Sequence, residues 1–65
     1  MPRYKPMIQL KLKRVAQGLN QTQLAEKAGV SQNTISGYET GERFPSRNIL
    51  ERLAKALECE IRDLL

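Results

Sequence analysis

Three amide side chains, Gln21, Gln32 and Asn33, are the groups in this chain best suited to recognition chemistry. A carboxamide donates and accepts at once, which matches the amino group and N7 of adenine; each good bidentate pair is worth roughly 1–3 kcal/mol in base discrimination. The chain around them is basic, with Lys+Arg 11 against Asp+Glu 7 and a net charge of +4. The excess is N-terminal: Arg3, Lys5, Lys11, Lys13 and Arg14 precede the first acid, Glu26. Such a concentration favours a polyanionic partner. Bond-making chemistry lacks its parts. There is no histidine, no nucleophile beside a base and no glycine-rich phosphate loop, so no enzymatic activity is expected. Cys59 is the single cysteine, which excludes an internal disulfide and leaves a metal site too few ligands; it reads as a small buried apolar group. No cofactor or metal is implied.

The elements that would position the amides are legible in the cap residues. Asn20 and Gln23 can satisfy free amides at a helix start reciprocally, so a helix begins after Asn20 with Leu24, Ala25 and Ala28 inward. Gly29 stops it cheaply at positive φ, and Val30 turns inward. Ser31 is a natural N-cap for a second short helix, with Ile35 and Tyr38 as its inward face and Thr40-Gly41 as its end. Two short helices joined by a glycine-containing turn form a helix-turn-helix. With Ile35 and Tyr38 inward, Gln32, Asn33, Ser36 and Gly37 form the outward strip, and Gln32 and Asn33 stand at the end that enters a major groove. Thr34 could touch a phosphate or a thymine methyl, or be half-buried against the preceding helix.

Flanking helices complete a small core. Ile8, Leu12, Val15 and Leu19 predict an inward stripe on a first helix over about 7–17, ended by Gly18. Pro2 and Pro6 discourage helix before it, leaving residues 1–6 as a flexible basic arm able to follow a phosphate backbone, or simply as a solvated tail. Ser46 caps a further helix over about 47–57 with Ile49, Leu50, Leu53, Ala54 and Leu57 inward. Phe44 is expected as a core lid or dimer contact.

These residues in this order resemble the helix-turn-helix family that includes lambda-type repressors, Cro proteins and XRE-type regulators. The resemblance rests on Gln21, Leu24-Ala25, Gly29-Val30-Ser31, Ile35, Glu39-Thr40-Gly41, Pro45-Ser46 and Leu53-Ala54-Lys55-Ala56-Leu57, and runs from about Leu10 to Leu65. It implies an all-α, compact five-helix lambda repressor-like domain spanning residues 1–65, with the helix-turn-helix formed by helices 2 and 3. It also implies that Arg14 pairs with Glu39 while keeping spare donors for a phosphate, that Gln21 is a phosphate clamp, and that Arg43 and Arg47 grip phosphates beside the recognition helix. Lys11 and Thr34 join that phosphate-contacting set. Glu58, Glu60 and Gly37 depart from the family pattern. The first two deprive the last helix of its preferred caps, so it could fray, or Ile61, Leu64 and Leu65 could instead be covered by a partner; Gly37 stands where relatives carry a longer polar or basic side chain.

The function this implies is sequence-specific DNA binding by a transcriptional regulator, a repressor, that inserts helix 3 in the major groove of a palindromic operator as a dimer. The alternative is a protein-interaction module of the antitoxin type. A chain of 65 residues forms one domain and buries only roughly 60% of its unfolded surface, which favours a partner copy. No small-molecule ligand is evident. No apolar run is long enough for a signal peptide or a membrane span, so cytoplasmic residence is expected. Both a stand-alone Cro-like regulator and an excised N-terminal domain of a longer repressor fit the sequence.

Overall fold

The bounds of the second and third helices and the start of the fourth follow from local devices that the computed structural model, which describes residues 2–65, makes explicit. Asn20 Oδ1 accepts from the Gln23 amide and Gln23 Oε1 from the Asn20 amide, both at 2.8 Å, closing a capping box at the start of α2 (Gln21–Ala28). Gly29, at φ 74°, ends α2 and lets the Val30 amide bond back to the Ala25 carbonyl. Ser31 Oγ accepts from the Thr34 amide to open α3 (Gln32–Thr40), which Gly41 closes at φ 90°. Ser46 does the same for α4 (Arg47–Ala56) through the Ile49 amide. Helix α1 (Ile8–Ala16) precedes them.

The expected five-helix architecture is corrected in its last element. Among the described residues the chain forms four α-helices and a single 3-10 turn, Ile61–Asp63. Leu57 ends α4, and Glu58 takes the left-handed conformation at φ 53°, with Cys59 N–H donating to the Ala54 carbonyl. The residues after it close i→i+3 bonds from Asp63 to Glu60 and from Leu64 to Ile61. The Glu60 amide donates to Asp63 Oδ2, and Leu64 is fully buried.

Helix α2 packs against both α3 and α4, α1 against α3, and the terminal turn against α4. Leu10, Leu24, Ile35, Leu53, Leu57 and Leu64 are the fully buried centre, each contributing roughly 1.5–3 kcal/mol by leaving water. Met7, Ala25, Ala28, Tyr38, Leu50 and Ala54 complete it, with Leu19, Val30, Ile49 and Ile61 packed at its edge.

The expected face of α1 is overturned. Ile8, Leu12 and Val15 are 55%, 55% and 56% exposed, and Met7, Leu10 and Arg14 face the core instead. Both sets recur at helical spacing on opposite sides, so periodicity alone does not choose between them. Polar bonds choose. Met7 N–H donates to the Tyr38 carbonyl, Arg14 reaches Glu39, and Gln17 Nε2 donates to the Leu57 carbonyl; the Arg14 contact requires this rotation. Phe44, expected as core or dimer contact, is 45% exposed and lies 6.0 Å from the ring of Tyr4.

Residues 2–6 of the expected flexible arm are held rather than free; Met1 lies outside the described residues. Tyr4 N–H donates to the Gly41 carbonyl at 2.8 Å, and a Cβ on Gly41 would collide with the Tyr4 carbonyl oxygen. The arm therefore lies against the C-terminal end of α3. Gly41 is required there twice, by its positive φ and by this close approach.

Candidate nucleic-acid interface

The outward strip of α3 begins with Gln32 and Asn33, both exposed and both in the first turn after the Ser31 cap. Ser36 is half-buried one turn on. Thr34 is half-buried too, and its hydroxyl is hydrogen-bonded to that of Ser31 at 2.8 Å, which favours the second of its two expected roles.

A polar relay ties this strip to the interior. Gln32 Nε2 donates to Gln21 Oε1, Gln21 Nε2 donates to Glu39 Oε1 at 3.0 Å, and Arg14 donates to both Glu39 oxygens, from Nε at 2.7 Å and from Nη2 at 3.0 Å. Three helices thereby converge on one carboxylate. Gln32 keeps its carbonyl oxygen and one N–H for an external partner. Burial alone would raise the Glu39 carboxyl, but hydrogen bonds from Arg14 and Gln21, with the charges of Arg14 and Lys11, outweigh it and hold the carboxyl below the usual range. The bond to Glu39 correspondingly raises the Arg14 guanidinium against its own burial.

The Arg14–Glu39 pair is thus present as expected, and Arg14 has a further partner inside the protein. Its Nη1 donates to the Leu19 carbonyl at 2.8 Å and the residue is only 8% exposed, so it braces α1 against α3. Gln21 has an unforeseen second task, because both ends of its amide are used inside the protein and one of them holds Gln32. Lys11, Arg43 and Arg47 are exposed, as a phosphate contact requires. Arg3, Arg43, Tyr4, Tyr38, Glu42 and Phe44 line one shallow depression beside the end of α3, so the arm adds Arg3 to this region.

Cys59 is half-buried and free, and burial first, then the charge of Asp63, pushes its thiol up, away from thiolate reactivity. Among the described residues no group of His, Cys, Asp and Glu is arranged to hold a metal.

A family model described as helix-turn-helix matches residues 10–64, from the first turn of α1 through the terminal turn. The chain belongs to the helix-turn-helix family. Among curated helix-turn-helix relatives, the cryptic phage CTXphi transcriptional repressor RstR of Vibrio cholerae is 38% identical over 52 residues, 80% of this chain and 47% of that protein. Antitoxin HigA1 of Mycobacterium tuberculosis is 38% identical over 47 residues, 72% of this chain and 32% of that protein. An HTH-type transcriptional regulator of Methanothermobacter thermautotrophicus is 45% identical over 43 residues, 66% of this chain and 62% of its own length. The chain thus spans between about a third and three fifths of these curated relatives. The restriction-modification controller protein C.AhdI from Aeromonas hydrophila superposes with a TM-score of 0.86 at 36% identity, covering 89% of this chain and 88% of that one. Among the described residues of this helix-turn-helix domain, no helix is long and apolar enough to cross a membrane.

Proposed function

We propose that this protein is a sequence-specific DNA-binding transcriptional regulator that inserts α3 into the major groove. The observation that carries this reading is the pair of exposed amides, Gln32 and Asn33, at the capped N-terminus of α3, with Gln32 braced by Gln21. An amide already oriented loses less rotamer freedom on meeting a base, and its remaining donor and acceptor suit adenine. Gln32 and Asn33 are the base readers, with Ser36 beside them. Gln21 has one N–H left, and with the free backbone amides that start α2 it serves as the phosphate clamp. Lys11, Arg47 and Arg43 supply further positive charge, and Thr34 sits at the margin of the same surface.

The relatives named as a transcriptional repressor and a controller protein support regulation, and repression of a two-fold symmetric operator by a homodimer is the finer form we infer. Two copies would then present their α3 helices about one DNA turn, roughly 34 Å, apart. Residence with the DNA in the cytoplasm follows from that role. Titrating fluorescent duplex DNA at increasing salt tests the reading: affinity should fall linearly on a log–log plot with a slope reflecting several released counterions. Salt-independent binding, or none at low salt, would overturn it.

A further inference from the structure

Gly37 is the oddest residue on the recognition strip, because it lies one turn beyond Asn33 on the same face of α3 yet is buried. The cover comes from Arg43. A Cβ added at Gly37 would lie 3.0 Å from both Cγ and Cδ of Arg43 and 3.4 Å from its Cβ, so the arginine stem occupies the space where a side chain at 37 would begin. The backbone is folded to put it there. The Gly37 carbonyl accepts from the amides of Gly41 at 3.0 Å and Arg43 at 3.1 Å, and the hydroxyl of Thr40 adds a third bond at 3.3 Å. Gly41, left-handed at φ 90° and pinned by the Tyr4 amide, reverses the chain so that residue 43 doubles back over α3.

The Arg43 side chain is exposed, and among the described residues no carboxylate pairs with its guanidinium. Glycine in a helix interior costs roughly 1 kcal/mol relative to alanine, so its presence needs a gain elsewhere. Seating a long basic side chain from outside the helix is such a gain. The guanidinium carried by a stem that crosses Gly37 has the fork geometry that matches O6 and N7 of guanine.

We propose that Arg43, laid across Gly37, is a base-reading residue that selects guanine at one position of each half-site, next to the bases read by Gln32 and Asn33. It rests on the DNA-binding reading and refines it, because Arg43 then spends its charge on a base edge and not on a phosphate. Gly37 contributes by absence: a Cβ there makes the arginine stem give by a few tenths of an ångström, and a longer side chain displaces it further.

The test uses the site obtained by selecting random duplex DNA on the wild-type chain, followed by affinities for every single-base variant of that site. Wild type is expected to show one guanine per half-site whose replacement weakens binding roughly 5- to 100-fold. Arg43→Ala should erase that preference and leave the preferences assigned to Gln32 in place, with an unchanged melting temperature because the side chain is exposed. Gly37→Ala should weaken the same guanine preference and no other, while its helix propensity keeps the fold intact. Equal weakening of all sites by Arg43→Ala, with the guanine preference retained, overturns the assignment and leaves DNA reading by Gln32 standing. A wild-type chain that enriches no sequence overturns both.

Discussion

Replacing Arg14 with methionine isolates the interaction that locks α1 to the recognition helix. Glu39 is only 8% exposed, and it would keep the bond from Gln21 while losing both bonds from the guanidinium. Removing one partner of a buried ion pair costs roughly 3–5 kcal/mol, because the remaining charge stays desolvated. A chain of 65 residues holds about 3–10 kcal/mol of total stability, so Arg14→Met is expected at the edge of unfolding. Even the lower figure corresponds to a melting-temperature loss of roughly 12–24 °C. The pH dependence gives a sharper signature. In the wild type the folded Glu39 carboxyl lies below its ordinary 4.5, so the stability it contributes is complete above that value and is lost as pH falls through the folded one. Without Arg14 the largest remaining influence on Glu39 is burial, which raises its folded carboxyl and makes protonation favour the folded state. The stability gap between variant and wild type should therefore be widest near neutral pH and narrow on acidification. Urea unfolding followed by circular dichroism at a series of pH values measures it. Adding Glu39→Leu to Arg14→Met should recover most of the loss. A gap below about 1 kcal/mol that does not change with pH would place the pair with ordinary surface salt bridges and refute the reasoning.

Other substitutions test other parts of the account. Leu12→Gln, on the exposed face of α1, should change stability by about 0.5 kcal/mol or less, whereas Leu10→Ala on the inner face should cost roughly 2–5 kcal/mol by urea unfolding. Glu58→Gly should stabilise the fold by up to about 1 kcal/mol, a rise of roughly 4–8 °C in a thermal melt, since glycine relieves the left-handed strain at φ 53°. Gln21→Ala should weaken binding at every DNA site and also blunt discrimination at the base read by Gln32; an effect confined to one base position would contradict the clamp assignment.

What the sequence made legible was local, and what it hid was long-range. Asn20 with Gln23, Gly29, Ser31, Gly41 and Ser46 each act within four residues, so the bounds of α2, α3 and the start of α4 could be read from residue type alone. The inner face of α1 could not. Ile8, Leu12 and Val15 make a sound apolar stripe, but the competing face wins through Arg14, a charged residue whose burial depends on a carboxylate 25 residues away. The final turn is a short 3-10 segment in which Asp63 caps the Glu60 amide and Leu64 anchors the chain by burial, neither of which the family's usual cap residues signalled. At the interface, the exposure of Gln32 and Asn33 followed from the Ser31 cap and the inward Ile35 and Tyr38. The Gln21–Gln32 bond, the docked arm and the arginine over Gly37 all join segments distant in the chain or reversed by a left-handed glycine. Residue spacing carries no direct signal for such contacts.

The central claim is that α3 reads bases through its first turn, and selection of random duplex DNA by the wild-type chain and by Gln32→Ala tests it most directly. The wild type should enrich a two-fold symmetric motif, and Gln32→Ala should lose preference at one position per half-site while the remaining positions persist. Identical motifs from both proteins, or no enriched motif from the wild type, would contradict it.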